Sequence, residues 1–311
     1  MSSPASPSTL SAPIEQARVR ALFADPQRIA PSDFLRREIA ARMHDRLGLV
    51  KLAPGRVVDA GCGAGADLAL LQKAYPAAQV IGIDAAPAMA AVADAAAAAA
   101  PSRRLLSRLL SGKAGIDLLC GDFGNCPFPP NSVDLVWSNL ALHWHPQPDR
   151  VFAEWRRVLR VEGLLMFSNF GPDTFRELRS AFSTLDAAQA SAPVSEHVLP
   201  FVDMHDFGDQ LVDAGFSTPV MDMEVITVTY DTVQAMLADV RALGGNPLAT
   251  RRRGLTGRVA WGRFLQALEA QRRPDGKLGL SFEVIYGHAF RPAPRVTAAG
   301  EAIVRFTPRA P

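Results

Sequence analysis

Cysteine is scarce: the chain of 311 residues holds three, Cys62, Cys120 and Cys126. None stands in a CxxC pair, and an odd number cannot build a fully paired disulfide framework, so the reading is a protein of a reducing compartment, the cytosol by default. The six histidines share no recurrent ligand spacing with the cysteines, and no metal site is predicted. Charge of one sign is missing as well. The 33 Lys and Arg stand against 31 Asp and Glu, a net +2, which offers no field for a nucleic acid. Long apolar runs are also lacking. The extended weakly polar stretch "AAPAMAAVADAAAAAAP" is alanine rather than leucine, carries Asp94 and leads into arginines, so it predicts a helix outside any membrane. The first thirteen residues, "MSSPASPSTLSAP", hold neither a basic start nor an apolar run of signal-peptide length and read as a disordered leader.

What is present is a large stock of core residues, 48% of the chain. At this length one domain with a sizeable insertion, or two domains, is expected. From residue 56 to about 170 short β-branched runs alternate with helical stretches, the pattern of a parallel sheet with helices on both faces. The predicted strands are "RVVDAG", "QVIGID", "IDLLCGD", "VDLVWSN" and "GLLMFSNF". Helices are predicted over 66–75, 87–100 and 149–159, with Pro76 and Pro101 as stops. Ahead of the sheet, "SDFLRREIAARMHDRLGLV" predicts an amphipathic helix capped by Ser32 or Asp33. After Phe170 the pattern gives helices over "PDTFRELRSAF" and "MHDFGDQLVDAG", then strands over "PVMDMEVITVTY" and "LSFEVIYGHAFR". The long segment between those strands is too large for a plain loop and reads as a lid or small subdomain with two helices.

The stretch "VVDAGCGAG", residues 57–65, sets glycines at 61, 63 and 65 behind two valines and Asp59. Three glycines so close carry an entropic cost that needs a reason: positive φ, a tight turn or a ligand against the backbone. A strand feeding such a turn into a helix aims free N–H groups at a ligand. The spacing is G-x-G-x-G rather than G-x-G-x-x-G, which departs from the dinucleotide pattern. Asp84 ends the second strand about twenty residues on, where a carboxylate can hold ribose hydroxyls. Asp122 ends the third in "CGD", where it could accept from an adenine amino group. A tight turn, a helix cap and a plain turn aspartate would also account for these parts one at a time; their combination is the specific signal.

Together, "VVDAGCGAG", "IGIDAAPAM", "CGDF" and "VDLVWSNLALHW" resemble the class I S-adenosylmethionine-dependent methyltransferases. The resemblance implies a Rossmann-like α/β fold, a seven-stranded mostly parallel sheet with one antiparallel strand, helices on both faces and a helical lid at about 231–279. It also implies that the loop of Asp59, Gly61, Cys62, Gly63 and Gly65 receives the methionine end of S-adenosyl-L-methionine, that Asp84 with Ala85 holds its ribose, and that Asp122 and Phe123 take its adenine, with Asn139 beside them. Cys62 is then a small filler rather than a nucleophile.

Further stretches, "FLRREIAARM", "WSNLALHW", "EWRRVLRVEGLLMFSNFGPDTFRELR", "FVDMHDFGDQLVDAGFSTPVMDMEVITVTY" and "FEVIYGHAF", are similar to the malonyl-acyl carrier protein O-methyltransferases of biotin synthesis over about 33–291. That similarity implies methylation of the free carboxylate of a malonyl thioester, on acyl carrier protein or coenzyme A, to the ester that starts pimeloyl synthesis. Residues 1–30 would be a leader and N-terminal segment, 31–291 the methyltransferase domain and 292–311 a loose tail; a monomer is expected. A tyrosine-bearing segment of the family has no counterpart in "FADPQRIAPSDF", and "AAAAAAPSRRLLSRLLSGKAG" is longer than the usual link. The assembly proteins of respiratory complex I share some of these features, so an assembly factor, another small-molecule methyltransferase and a non-catalytic cofactor-binding module are the alternatives.

The chemistry makes few acid–base demands. A carboxylate is already ionised at neutral pH, so transfer from a sulfonium needs no residue to remove a proton. The protein's task is to align the reacting atoms and exclude water. A tight arginine clamp on the attacking oxygen would favour the ground state over the transition state, so looser contacts are expected there. Asn139, His143 and Trp144 after the fourth strand are the candidate pocket walls, although His143 as a packed or capping residue and Trp144 as core remain open. Phe170, Asp173 and Arg176 are candidates beyond the fifth strand, with pairing to a nearby acid the other reading of Arg176. His205 and Asp206 read as a helix start. Arg251, Arg252, Arg253 and Arg258 in "RRRGLTGR" would dock the acidic carrier protein, whereas Arg103, Arg104 and Arg108 read as a solvated face.

Overall fold

A computed structural model of the protein describes residues 12–99, 115–187, 197–251, 254 and 256–294. Seven strands form: β1 (Arg56–Ala60), β2 (Gln79–Asp84), β3 (Ile116–Cys120), β4 (Val133–Asn139), β5 (Leu159–Phe170), β6 (Ser217–Tyr230) and β7 (Leu278–Phe290). They make one sheet in the order β3-β2-β1-β4-β5-β7-β6. The pairs from β3 through β5 are parallel, and β7 runs antiparallel to both β5 and β6, the single reversed strand of the expected topology. The chain leaves β1 for β2 and β3 on one side and returns to β4 on the other. Strand order therefore reverses beside β1, and the carboxyl ends of β1 and β4 flank the crevice where open α/β sheets take ligands.

The helices are α1 (Gln16–Leu22), α2 (Pro26–Ile29), α3 (Asp33–Leu47), α4 (Ala66–Ala74), α5 (Pro87–Ala99), α6 (Pro148–Val158), α7 (Arg176–Ala187), α8 (Met204–Asp213), α9 (Val233–Ala242) and α10 (Arg258–Glu269). Strand period two divides the core between them. Val57, Val80, Leu135 and Trp137 pack with α3, α4, α7, α9 and α10. Val58, Ile81, Val136 and Phe167 pack with α6 and α8 on the opposite face. There Phe152 is fully buried with its ring against Trp155, Phe167 and Phe207, centroids 5.3–6.1 Å apart.

Local chemistry sets most boundaries. The Asp203 side chain accepts from the His205 N–H at the start of α8, and Gly215 at φ +82° ends that helix. Ser32 does something other than the capping expected of it. Its backbone is helical and its hydroxyl lies 2.8 Å from the Ile29 carbonyl and 3.0 Å from that of Ala242, tying the head of α3 to the end of α9. α7 starts at Arg176, four residues later than "PDTFRELRSAF" suggests, because Asp173 N–H and the Thr174 hydroxyl bond to Glu283 of β7 instead.

Residues 12–32 are built onto the segment after α9. Ile14 bridges Leu248, Glu15 N–H donates to Pro247 O (3.1 Å), Ala249 N–H to Pro13 O (2.8 Å), and Arg18 Nε to Asn246 O (2.9 Å). Residues 1–11, the link at 100–114, Arg252, Arg253 and the tail beyond 294 lie outside the described residues, and with them the expectations for the leader, the extended link, Arg103, Arg104, Arg108 and most of the loose tail. Among the described residues no helix is long and apolar enough to cross a membrane.

Truncating the aromatic centre on the α6 side leaves a cavity that rigid neighbours cannot fill. Phe152→Ala is expected to lower the unfolding free energy by about 3–5 kcal/mol, seen as a fall in the urea midpoint with little change in slope.

Candidate functional site

The glycine turn bends back between the tips of β1 and β2. Gly61 and Cys62 N–H both donate to Ile83 O, at 2.8 and 3.0 Å, and Gly63 N–H donates to Asp84 Oδ2 at 2.9 Å. Asp84 also accepts from Ala86 N–H at 2.8 Å, so its carboxylate joins the loop to the start of α5. The three glycines have different reasons to be glycine. All have positive φ, but a Cβ on Gly61 would stand 2.3 Å from that of Ala141, and one on Gly65 2.8 Å from that of Ala93. Only at Gly63 would it enter open space. Gly61 thus lets the loop after β4 come close and Gly65 lets α5 come close, while Gly63 presents bare backbone to a cavity.

That cavity has a volume of about 390 Å³ and takes its floor from Asp59, Gly61, Cys62, Gly63, Asp84 and Ala85, with Phe123 and Asn139 as walls. Asp67, on α4, also faces it. Asp59 is buried, and its Oδ2 has no hydrogen-bond partner. Burial, reinforced by Asp67 and Asp84, pushes its carboxyl well above the usual range. Burial raises Asp67 too, against hydrogen bonds from Trp137 Nε1 (2.9 Å) and Asn139 Nδ2 (3.0 Å). Asp84 is raised by burial and pulled back by the Ala86 and Gly63 N–H groups. Asn139 is held at both ends, since its Oδ1 accepts from Ser168 Oγ (2.8 Å) and its Nδ2 also donates to Arg36 O (3.0 Å). Four aspartates line the cavity, with Asp33, Arg20, Arg36 and Arg37 toward the α1–α3 side; the three acids gathered at the strand tips and α4, Asp59, Asp67 and Asp84, make that end a receptor for a cation. The Cys62 thiol is pushed well up by burial, which leaves it protonated and a poor nucleophile.

The roof was not legible in the sequence: Val19 and Phe23 from the α1 region, Ile29 of α2 and Arg36 of α3 all line this cavity. Phe23 meets Trp144 edge-on at 5.1 Å. Trp144 also walls a second cavity of about 180 Å³, rich in aromatic rings, with Phe170, Phe182, Phe201 and Phe264 among its lining. His143 stands in that wall, its Nδ1 2.7 Å from Asn169 Oδ1. Burial lowers its pKa to about 4, with the Arg36 charge adding to the effect and the Asn169 bond opposing it.

The structure therefore brings Asn139, His143, Trp144 and Phe170 to the two cavities and leaves other predicted residues elsewhere. Asp122 is exposed and outside the cavity lining. It accepts from Gly124 N–H (2.8 Å), and its neighbour His145 (3.7 Å) holds its carboxyl below the usual range. Arg176 is exposed and pairs with Glu177 at 3.3 Å. Arg251 pairs with Glu15 at 3.3 Å and donates to Leu248 O, while Arg258 is exposed at the first position of α10.

A histidine with a depressed pKa stabilises the fold fully above its unfolded value, near 6.5, and loses that contribution as pH falls toward about 4. His143→Gln is expected to flatten the fall of unfolding free energy between those pH values, measured by urea titration across the range. An imidazole titration by NMR in the parent is expected to show His143 neutral above pH 5.5.

Residues 58–167 match the family model described as a methyltransferase domain. The fold is shared with the solved YcgJ protein of Bacillus subtilis (TM-score 0.53, 17% identity, 81% of this chain and 100% of that one). A putative methyltransferase from Bacillus halodurans shares it too (TM-score 0.52, 16% identity, 82% and 99%). Among curated proteins, the malonyl-acyl carrier protein O-methyltransferase of Laribacter hongkongensis is 46% identical over 306 residues, covering 96% of this chain and 97% of that protein. The protein of the same name from Gallionella capsiferriformans is 46% identical over 275 residues, covering 88% and 90%. Identity at that level over nearly the whole of both chains means that the chain belongs to the malonyl-acyl carrier protein O-methyltransferase family.

Proposed function

We propose that the larger cavity binds S-adenosylmethionine and that the protein esterifies the free carboxylate of malonyl-acyl carrier protein, the step that disguises malonate for pimeloyl synthesis in the biotin pathway. The observation that carries the reading is the union of full-length kinship to that enzyme family with a cavity whose buried acids ask for a cation. S-adenosylmethionine supplies a sulfonium methyl and an ammonium group. The residues fit it: Asp59 Oδ2 is an orphaned buried acceptor, and Gly63 leaves space where any side chain would intrude. In this proposal Asp59 and the loop Gly61, Cys62, Gly63 face the methionine end, and Asp84 with Ala85 takes the ribose hydroxyls. Phe123 lies against the base. Asp122 and Gly65 stay in the assignment only as supports of the loops that carry these contacts. Asn139, held rigid by Asp67 and Ser168, marks where the methyl meets the acceptor.

No side chain need accept a proton, and the neutral His143 offers no charge that would compete for the carboxylate. Trp144 and the rings of the second cavity keep water from the acceptor oxygen and so restore the nucleophilicity that hydration removes. The domain proposed at 31–291, with 231–279 as its lid, takes in α1 and α2 as well, since they roof the larger cavity, and the working unit is proposed to be a monomer. Three free cysteines suit the cytosol. Arg252, Arg253 and the exposed Arg258 are proposed to steer the acidic carrier protein, with Arg251, paired to Glu15, as their anchored neighbour in sequence.

The test is incubation with labelled cofactor and malonyl-acyl carrier protein. Label in a base-labile ester supports the reading, and none despite cofactor binding refutes it. Asp84→Ala is expected to weaken S-adenosylmethionine by roughly 1.5–3 kcal/mol, about 10–150-fold, by calorimetry. Arg252→Glu with Arg253→Glu is expected to slow turnover of the carrier substrate and flatten its salt dependence, since exposed charges act on encounter. A small malonyl thioester should be turned over as before.

A further inference from the structure

Arg36 of α3 lines the cavity assigned to the cofactor, and its side chain is 23% exposed. Its guanidinium is only partly engaged. Nη1 donates to Ser32 Oγ, Nη2 reaches Leu243 O at 3.4 Å, and the nearest carboxylate oxygen, on Asp33, is 3.6 Å away. Nε makes no hydrogen bond among the described residues. Burial lowers its pKa, yet arginine stays charged in any folded protein.

Its position is the junction of the two cavities. Leu243, whose carbonyl it approaches, lines the second cavity. Its charge is felt at His143, which lines the same space. Its own carbonyl accepts from Asn139 at the tip of β4. Arg36 itself is not in the second lining, and the one arginine that is, Arg241, is exposed.

We propose that Arg36 recognises the free carboxylate of the acyl thioester and thereby separates the substrate acid from its methyl ester, an inference that rests on the assignment of the two cavities made above. A carboxylate that reaches from a chamber of aromatic rings toward the cofactor cavity loses water and needs charged donors in return; Arg36, which lines the cofactor cavity beside Leu243 of the second lining, is the partly buried cation at that border with donors to spare. Esterification removes the interaction. An electron pair of the carboxylate oxygen forms the new O–C bond, the C–S pair stays on sulfur, which becomes a neutral thioether, and no proton moves. The acyl group ends uncharged, so the guanidinium holds substrate and releases product. Because the pair is strongest before transfer, its loss falls on KM more than on kcat, which reconciles an arginine at this place with the looser contacts expected of the attacking oxygen.

The experiment uses the full chain with saturating S-adenosylhomocysteine, so that no transfer occurs, and compares malonyl-pantetheine with its methyl ester by calorimetry. The parent is expected to bind the acid at least about tenfold more tightly than the ester, a ratio that collapses to within about twofold in Arg36→Gln and is largely kept in Arg36→Lys. In turnover Arg36→Gln should raise KM by about tenfold or more while kcat falls less than about threefold. A cooperative urea unfolding transition with the parent's slope certifies the fold of each variant. As a measurement that needs no folded variant, the Arg36 Nε–H resonance of the parent should move on adding the acid and stay on adding the ester. A preference that survives Arg36→Gln, equal weakening of both ligands, or an unmoved resonance overturns the proposal. Ester formation is scored separately: acid preference lost in Arg36→Gln without any ester made by the parent counts against methyl transfer and not against Arg36.

Discussion

Three carboxylates, Asp59, Asp67 and Asp84, crowd the floor of one cavity, and the rest of the site is arranged around that constraint. Burying an ionised group is unfavourable unless donors replace its water. Asp84 has two backbone N–H groups, and Asp67 has the indole of Trp137 and the amide of Asn139. Asp59 Oδ2 has none. The glycine turn must curl far enough to deliver Gly63 N–H, and Trp137 must be buried in β4 with its ring edge toward α4. Asn139 must stand where Ser168 of β5 can hold its oxygen. One electrostatic requirement thereby fixes the relative positions of β1, β2, β4, β5 and α4.

The same requirement shapes the chemistry. On the proposed assignment, negative charge at the tips of β1 and β2 attracts a sulfonium but repels a carboxylate, so the two reactants would occupy separate chambers. The second chamber is lined by rings, its histidine is neutral, and a cation stands at the junction. Attraction and repulsion are thus divided between two spaces a few side chains apart, with no proton-transfer group required in either.

Strand positions and the glycine turn could be read locally because each rests on a short pattern: β-branched runs for β1, β2 and β4, and positive φ for Gly61, Gly63 and Gly65. What the pattern could not give was why each glycine is there, since the neighbours that decide it, Ala141 and Ala93, arrive from other elements. Asp122 fits the strand-end pattern as well as Asp84 does, and only geometry shows that Gly124 and His145 occupy it. The roof left no local signal at all, because α1 is short, buries none of its residues and is held by contacts such as Ile14 with Leu248. Arg36 sits in a run of charges, "FLRRE", and which arginine turns inward is decided by where α3 meets β4 and α9.

Trp144 is one side chain with two tenants. Its ring forms part of both cavities, is braced by Phe23 on one side, and lies so close under Gly244 that a Cβ there would stand 2.7 Å from it. A ligand that fixes the indole from either chamber therefore sets a wall of the other. Thermodynamic linkage then makes the influence reciprocal: whatever factor the nucleotide contributes to acyl-group affinity, the acyl group returns to nucleotide affinity. On the proposed assignment, the two binding steps would be coupled through a single aromatic ring.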